Sequence, residues 1–207
     1  MKRRAGFTLI ELLVTVTIFS GILGALLIIF FVGRKSYLSA DAYIEVQQEG
    51  RRGLDAMTTE IREAGDIKTP PTPPNPSSST LTFRTALGYD LAATVAGCPA
   101  SQVCFGAIDP VTNAQDCTLC VEYSIAGTQL QRRVVSGGAC SAACGTTLVG
   151  SARILANNVT GPAAPFTYNS ADKVMTVQLQ VQKSSAQLPN GATGTATVNA
   201  RVKLRNN

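Results

Sequence analysis

The chain has 207 residues, 18 Lys and Arg against 13 Asp and Glu, six Cys, and neither His nor Trp. That length suits one modest domain with an appendage. The lack of His excludes Ser–His and Cys–His couples, His-ligated metals and a His pH switch. Mean hydropathy is slightly positive although the chain is not uniformly apolar, so the question is where the apolar residues sit.

They sit at the front. Residues 7–32, FTLIELLVTVTIFSGILGALLIIFFV, carry one charge, Glu11. As a helix this stretch spans about 39 Å, enough to cross a hydrocarbon core of about 30 Å. Lys2, Arg3 and Arg4 precede it, and Arg34 and Lys35 follow. The more basic leader predicts a cytoplasmic N-terminus and an extracytoplasmic bulk. A cleaved secretory signal would show a shorter apolar run and a small-residue cleavage site, and neither is present. A plain anchor explains length and flanks but not Glu11. A carboxylate inside a membrane segment costs about 2.5–3.5 kcal/mol near the centre, less near an end, and calls for a partner. The segment itself holds no Lys or Arg.

Gly6-Phe7-Thr8-Leu9-Ile10-Glu11 after a short basic leader resembles the N-terminal signal of type IV pilins and pseudopilins. The resemblance implies cleavage between Gly6 and Phe7 by prepilin peptidase and methylation of the new Phe7 amine. It also supplies the missing partner: Glu11 would accept the Phe7 ammonium of a neighbouring subunit, an ion pair that offsets desolvation once subunits stack in register. On this reading residues 1–6 are a leader peptide, 7–33 a transmembrane and filament-core helix, 34–65 an amphipathic helix, and 66–207 an extracytoplasmic β-rich domain.

Residues 36–64 contain no Pro, and Tyr37, Ile44, Leu54, Met57 and Ile61 recur at helical spacing. The helix is predicted to continue to Ala64, about 87 Å in all, with Gly65 as its C-terminal cap. Gly50 and Gly53 each weaken it by about 1 kcal/mol and predict a bend. The run from Arg51 to Gly65 resembles that of PilW-like minor pilins and J-type pseudopilins. Its charges read as a solvated face with i,i+4 pairs, or alternatively as intersubunit salt bridges.

Residues 69–80, TPPTPPNPSSST, read as an exposed linker. Beyond it, period-2 patterns predict strands at 80–84, at 121–125 and 128–132 around an Ala126-Gly127 turn, at 177–182, and at 196–204 after a Pro189-Asn190-Gly191 turn. The expected fold is α+β, with the second half of the long helix covering one face of an antiparallel sheet and the other face wet. Arg132-Arg133 is placed on that wet face.

Cys98, Cys104, Cys117, Cys120, Cys140 and Cys144 all lie in the extracytoplasmic part. A four-thiolate zinc site over Cys117-x2-Cys120 and Cys140-x3-Cys144 is one reading, and a redox CxxC another. An even count in an oxidising compartment favours disulfides. Fifteen pairings are possible, and a local Cys140–Cys144 bridge is expected, with the other four tying residues 98–120 together.

Three functions follow. The first is a structural subunit: a minor pilin of a type IV pilus involved in assembly and priming, with a type II secretion pseudopilin as the alternative. Its partners would be other pilins through the N-terminal helix, prepilin peptidase and an inner-membrane assembly platform, and no cofactor is expected. It would pass once through the bacterial inner membrane and then enter a filament at the cell surface. The second is a filament-borne adhesin or DNA-uptake subunit. Three basic residues leave with the leader, so fifteen remain against thirteen acids, which makes nucleic acid an unlikely ligand. The third, an enzyme, has no nucleophile motif behind it.

Overall fold

A computed structural model describes residues 8–69, 77–140, 143–184 and 193–205. The fold is α+β. Among the described residues one helix, α1 (Leu9–Arg62), is followed by twelve strands in two antiparallel sheets. The predicted Pro189-Asn190-Gly191 turn, the prolines of the linker, Gly6 and Phe7 lie outside the described residues.

α1 has 54 residues and runs unbroken through Gly50 and Gly53. It is capped at Glu63 rather than at the expected Gly65. Gly65 belongs instead to β1 (Ala64–Thr69), where a Cβ would fall 1.8 Å from the Phe105 ring. The chain therefore turns from helix directly into a strand at the edge of the expected linker. Further along come β2 (Ser77–Ser78), β3 (Thr80–Tyr89), β4 (Val103–Ile108), β5 (Gln115–Asp116) and β6 (Leu119–Ala126). They are followed by β7 (Gln129–Gly137), β8 (Cys144–Ala156), β9 (Val159–Gly161), β10 (Phe166–Asn169), β11 (Val174–Ser184) and β12 (Thr193–Lys203).

The larger sheet runs β5-β4-β3-β6-β7-β8. β1 lines one edge of β3, while β6 and then β4 line the other: Phe83 faces Ile67 and Val121, and Thr85 faces Ala64 and Gly106. The β6–β7 hairpin turns at Gly127-Thr128, one residue later than predicted, and Gly127 has φ +61°, a left-handed conformation that suits Gly. The smaller sheet runs β12-β11-β10-β2 with β9 beside β11. Its β11–β12 pair stays in unshifted register from Val174↔Lys203 to Ser184↔Thr193.

α1 lies against β11, β12 and β8. Its buried positions are Ala42, Val46, Gly50, Gly53, Leu54, Met57 and Ile61, spaced by threes and fours. They join Leu81, Phe83, Tyr123, Leu130, Phe166, Met175 and Leu179 in one core shared by both sheets. Leu54, Met57 and Ile61 fit the predicted stripe. Tyr37 and Ile44 do not: they are 73% and 54% exposed, on the side away from the sheets. The two helical glycines are contact positions rather than bends. A Cβ on Gly50 would come within 2.9 Å of Val198, and one on Gly53 within 3.1 Å of Ala156. Small residues there let the sheets approach the helix backbone.

The expected wet face also fails at the sheet centre. Along β6, Glu122 and Ser124 are buried like their apolar neighbours, and Thr82 and Arg84 on β3 are buried too. Period-2 alternation marks which residues face opposite ways, but the tertiary structure decides whether the second face is covered.

Candidate functional site on the N-terminal helix

The helix starts at a Thr-x-x-Glu sequence. Thr8 is the N-cap, in extended backbone (φ −81°, ψ 149°), and its side chain accepts the Glu11 N–H at 3.3 Å. This is half of a capping box, a signal legible in the sequence but missed there. It fixes the first turn so that Glu11 stands three residues into the helix, at its positive end, where a carboxylate is favoured.

Beyond that turn the first half of the helix has no cover among the described residues. From Leu9 to Val32 every large apolar side chain is at least 48% exposed. The hydroxyls in this stretch satisfy themselves locally: Thr15 donates to the Glu11 carbonyl at 2.9 Å, Thr17 to that of Val14 at 2.8 Å, and Ser20 to that of Thr17 at 3.0 Å. Such back-bonding removes polar groups that hydrocarbon would penalise. The Glu11 carboxylate is the exception, with no ion-pair partner among the described residues. Among the described residues one helix, Leu9–Arg62, is long and apolar enough to cross a membrane.

The comparisons with known proteins bear on this segment. Residues 1–28 match the family model of the prokaryotic N-terminal methylation motif. The chain carries the N-terminal signature characteristic of type IV pilins and pseudopilins. No curated protein and no solved structure matches the chain. The motif covers Gly6, Phe7 and Glu11 together, and it marks a precursor of the kind that prepilin peptidase processes. It implies contact with other pilin subunits, and with the apolar helix it fits membrane anchoring and a place in a pilus.

In the second half of the helix the charges have a use that neither sequence reading offered: they fasten the helix to its own sheets. Arg132 grips Glu60 with Nη2 at 2.5 Å and Nε at 2.9 Å, and the Tyr123 hydroxyl donates to the same carboxylate. Burial, reinforced by the Glu60 charge, pushes the Tyr123 phenol above its ordinary range, so it stays a donor. The hydrogen bond to Glu60 holds the Arg132 guanidinium above its ordinary value. Lower down, Lys183 pairs with Glu45, and Glu49 accepts from the Asn157 backbone at 3.0 Å and its side chain at 3.1 Å.

Arg132-Arg133 is correspondingly not a wet-face doublet. Adjacent strand residues point to opposite faces. Arg132 turns toward the helix, and Arg133 pairs with Glu122 on the other side.

The six cysteines pair as Cys98–Cys104, Cys117–Cys140 and Cys120–Cys144. The expected Cys140–Cys144 bridge is not formed. Both residues lie at the β7–β8 turn, and β6, two strands from β8 in the sheet, presents Cys120 and the preceding Cys117 to them. The bridges therefore tie sequence-distant loops, with separations of 23 and 24 residues, rather than one local loop. Val95, Cys98, Cys104 and Cys117 form a second small core with Leu87 and Leu91. Gly97 sits against it with φ +84°, where a Cβ would meet the Cys140 sulfur at 2.6 Å.

Proposed function

We propose that this chain is a minor pilin, a structural subunit of a type IV pilus that takes part in filament assembly and priming. It is cut after Gly6 and methylated on Phe7. It waits in the inner membrane, held by residues 7–33, with its β domain outside. The observation that carries the reading is Glu11: a carboxylate at the capped start of an uncovered apolar helix, within a match to the methylation motif. Lipid can solvate the apolar side chains but not that charge. The Phe7 ammonium of a neighbouring subunit satisfies it, and Glu11 then favours the assembled state over the isolated one. No catalytic role is proposed: the chain is the peptidase's substrate, and the polar clusters of its β domain read as structural ties.

Glu11→Val tests this. The variant is expected to insert in the membrane and be cleaved at wild-type levels, while its content in sheared filaments falls at least tenfold. Wild-type incorporation would remove Glu11 from assembly.

A further inference from the structure

β4 and β8 have β3, β6 and β7 between them in the larger sheet, yet the chain brings their ends together. A Cβ on Gly150 of β8 would come within 2.7 Å of Pro110 and 3.5 Å of Val111, in the loop between β4 and β5. The sheet is therefore curled, and the last turns of α1 lie against its inner side through Glu60. Between helix, loop and sheet lies a cleft of about 640 Å³, within the size range of small-molecule sites.

The floor of the cleft is fixed and its walls are not fully used. Arg132 and Tyr123 hold Glu60 at the bottom. Arg153 stands directly opposite Arg132 in the β7–β8 register, so the two guanidiniums share one face of the sheet. Only Arg132 is paired. Arg153 is exposed and makes no hydrogen bond or ion pair among the described residues. On the loop side, one oxygen of Asp109 accepts the Val111 N–H at 2.7 Å and the Thr112 N–H at 3.3 Å, and the other has no partner among the described residues. The Val111 bond above all holds this carboxyl below its ordinary range, so it stays an acceptor. Asn113, exposed and in left-handed backbone (φ 59°), adds a side-chain amide that is likewise unpartnered among the described residues. Ala56, Ile108, Pro110 and Leu155 supply the apolar part of the lining.

Charges of both signs face this space. A small anion would meet the Glu63 and Asp109 carboxylates, and a small cation would meet Arg153. A hydroxyl both donates and accepts, so a ring of hydroxyls suits a mixed lining better than an ion does. Arg, Asn and Asp each present two polar atoms side by side, which matches two neighbouring hydroxyls. The C–H faces of such a ring need apolar surface, and the same cleft provides it.

We propose that the cleft between the end of α1, the β4–β5 loop and β8 binds a neutral pyranose ring of a saccharide, with Arg153, Asn113 and Asp109 taking its hydroxyls. The site is separate from Glu11, so this function stands or falls apart from the assembly reading.

The test uses the full-length chain in phosphatidylcholine nanodiscs, free of sugar detergents, and saturation-transfer NMR. The probes are the methyl pyranosides of glucose, galactose, mannose and N-acetylglucosamine. At least one is expected to give a transfer signal. Arg153→Ala and Asn113→Ala should each reduce that signal at least fivefold without moving the unfolding midpoint, because neither side chain has an internal partner. Arg153→Lys keeps the charge but removes the fork, and should lose the signal as well. Arg201→Ala, exposed on β12 outside the cleft, should leave it unchanged. No signal from any of the four probes would overturn the proposal, as would a signal that the cleft variants leave intact or that Arg201→Ala lowers equally. A stronger signal from methyl galacturonate or from glucosamine than from every neutral probe would overturn the assignment to a neutral ring.

Discussion

The two halves of α1 are one continuous helix with opposite arrangements for burial. From Ala42 to Ile61 the chain covers its own helix: two sheets bury a stripe of seven positions and hold the flanks with Glu45, Glu49 and Glu60. From Leu9 to Val32 nothing among the described residues covers it, and seventeen large apolar side chains stand exposed. Secondary structure is therefore not what distinguishes the halves. Among the described residues the first half takes no packing from its own fold, whereas the second half is stabilised by it. In the pilin role proposed above, that division would let the domain stay folded while the first half of the helix exchanges one apolar surrounding for another.

The largest expected break in the comparison is a truncation at the same residue type in each half. Ile61→Ala should cost about 2–5 kcal/mol of domain stability, because Ile61 is fully buried and leaves a cavity. Ile29→Ala, 67% exposed, should leave domain stability within about 0.5 kcal/mol of wild type. Urea unfolding of the detergent-solubilised chain, followed by the β-sheet signal, reads both. Equal effects would mean the halves are not energetically separate.

Glycine sharpens it next. Gly53→Val should destabilise the domain by about 1–3 kcal/mol, since the new side chain meets Ala156 and Leu130. Gly21→Val, with nothing within 4 Å, should not. The same unfolding experiment decides. An unchanged midpoint for Gly53→Val would contradict the close approach of helix and sheet.

The smallest effect concerns the clamp. Tyr123→Phe loses a hydrogen bond to a carboxylate, about 1.5 kcal/mol near neutral pH. The folded-state phenol is raised above its unfolded value near 10, so its contribution is fully present below that pH and fades as pH climbs beyond it. The gap between wild type and variant should stay constant from pH 6 to about 9 and shrink above about 10. A gap that widens in alkali would contradict the proposed protonation of Tyr123.

Much of this protein is legible in one dimension, where the determining physics is local. An apolar run longer than a bilayer is thick, a lone carboxylate four residues beyond Phe7, and a Thr-x-x-Glu start are all linear features. The motif at residues 1–28 is recognised for the same reason. Strand periodicity located β6, β7, β11 and β12, because alternation follows from the pleat.

The rest depended on which segments meet. Nothing in the spacing of Cys117, Cys120, Cys140 and Cys144 shows that β6 lies two strands from β8, which is what pairs Cys117 with Cys140 and Cys120 with Cys144. Glu60 and Arg132 are 72 residues apart, so their charges read as solvated until the hairpin folds onto the helix. Gly50 and Gly53 look like weak points until Val198 and Ala156 arrive beside them. By itself, then, the sequence determined the long apolar segment, the methylation motif at its start and the lone carboxylate within it. The tertiary structure decided which face of the second half is covered, and so which face, bearing Tyr37, Ile44, Arg51 and Asp55, is left open. Burial is a property of pairs of segments, and only folding brings those pairs together.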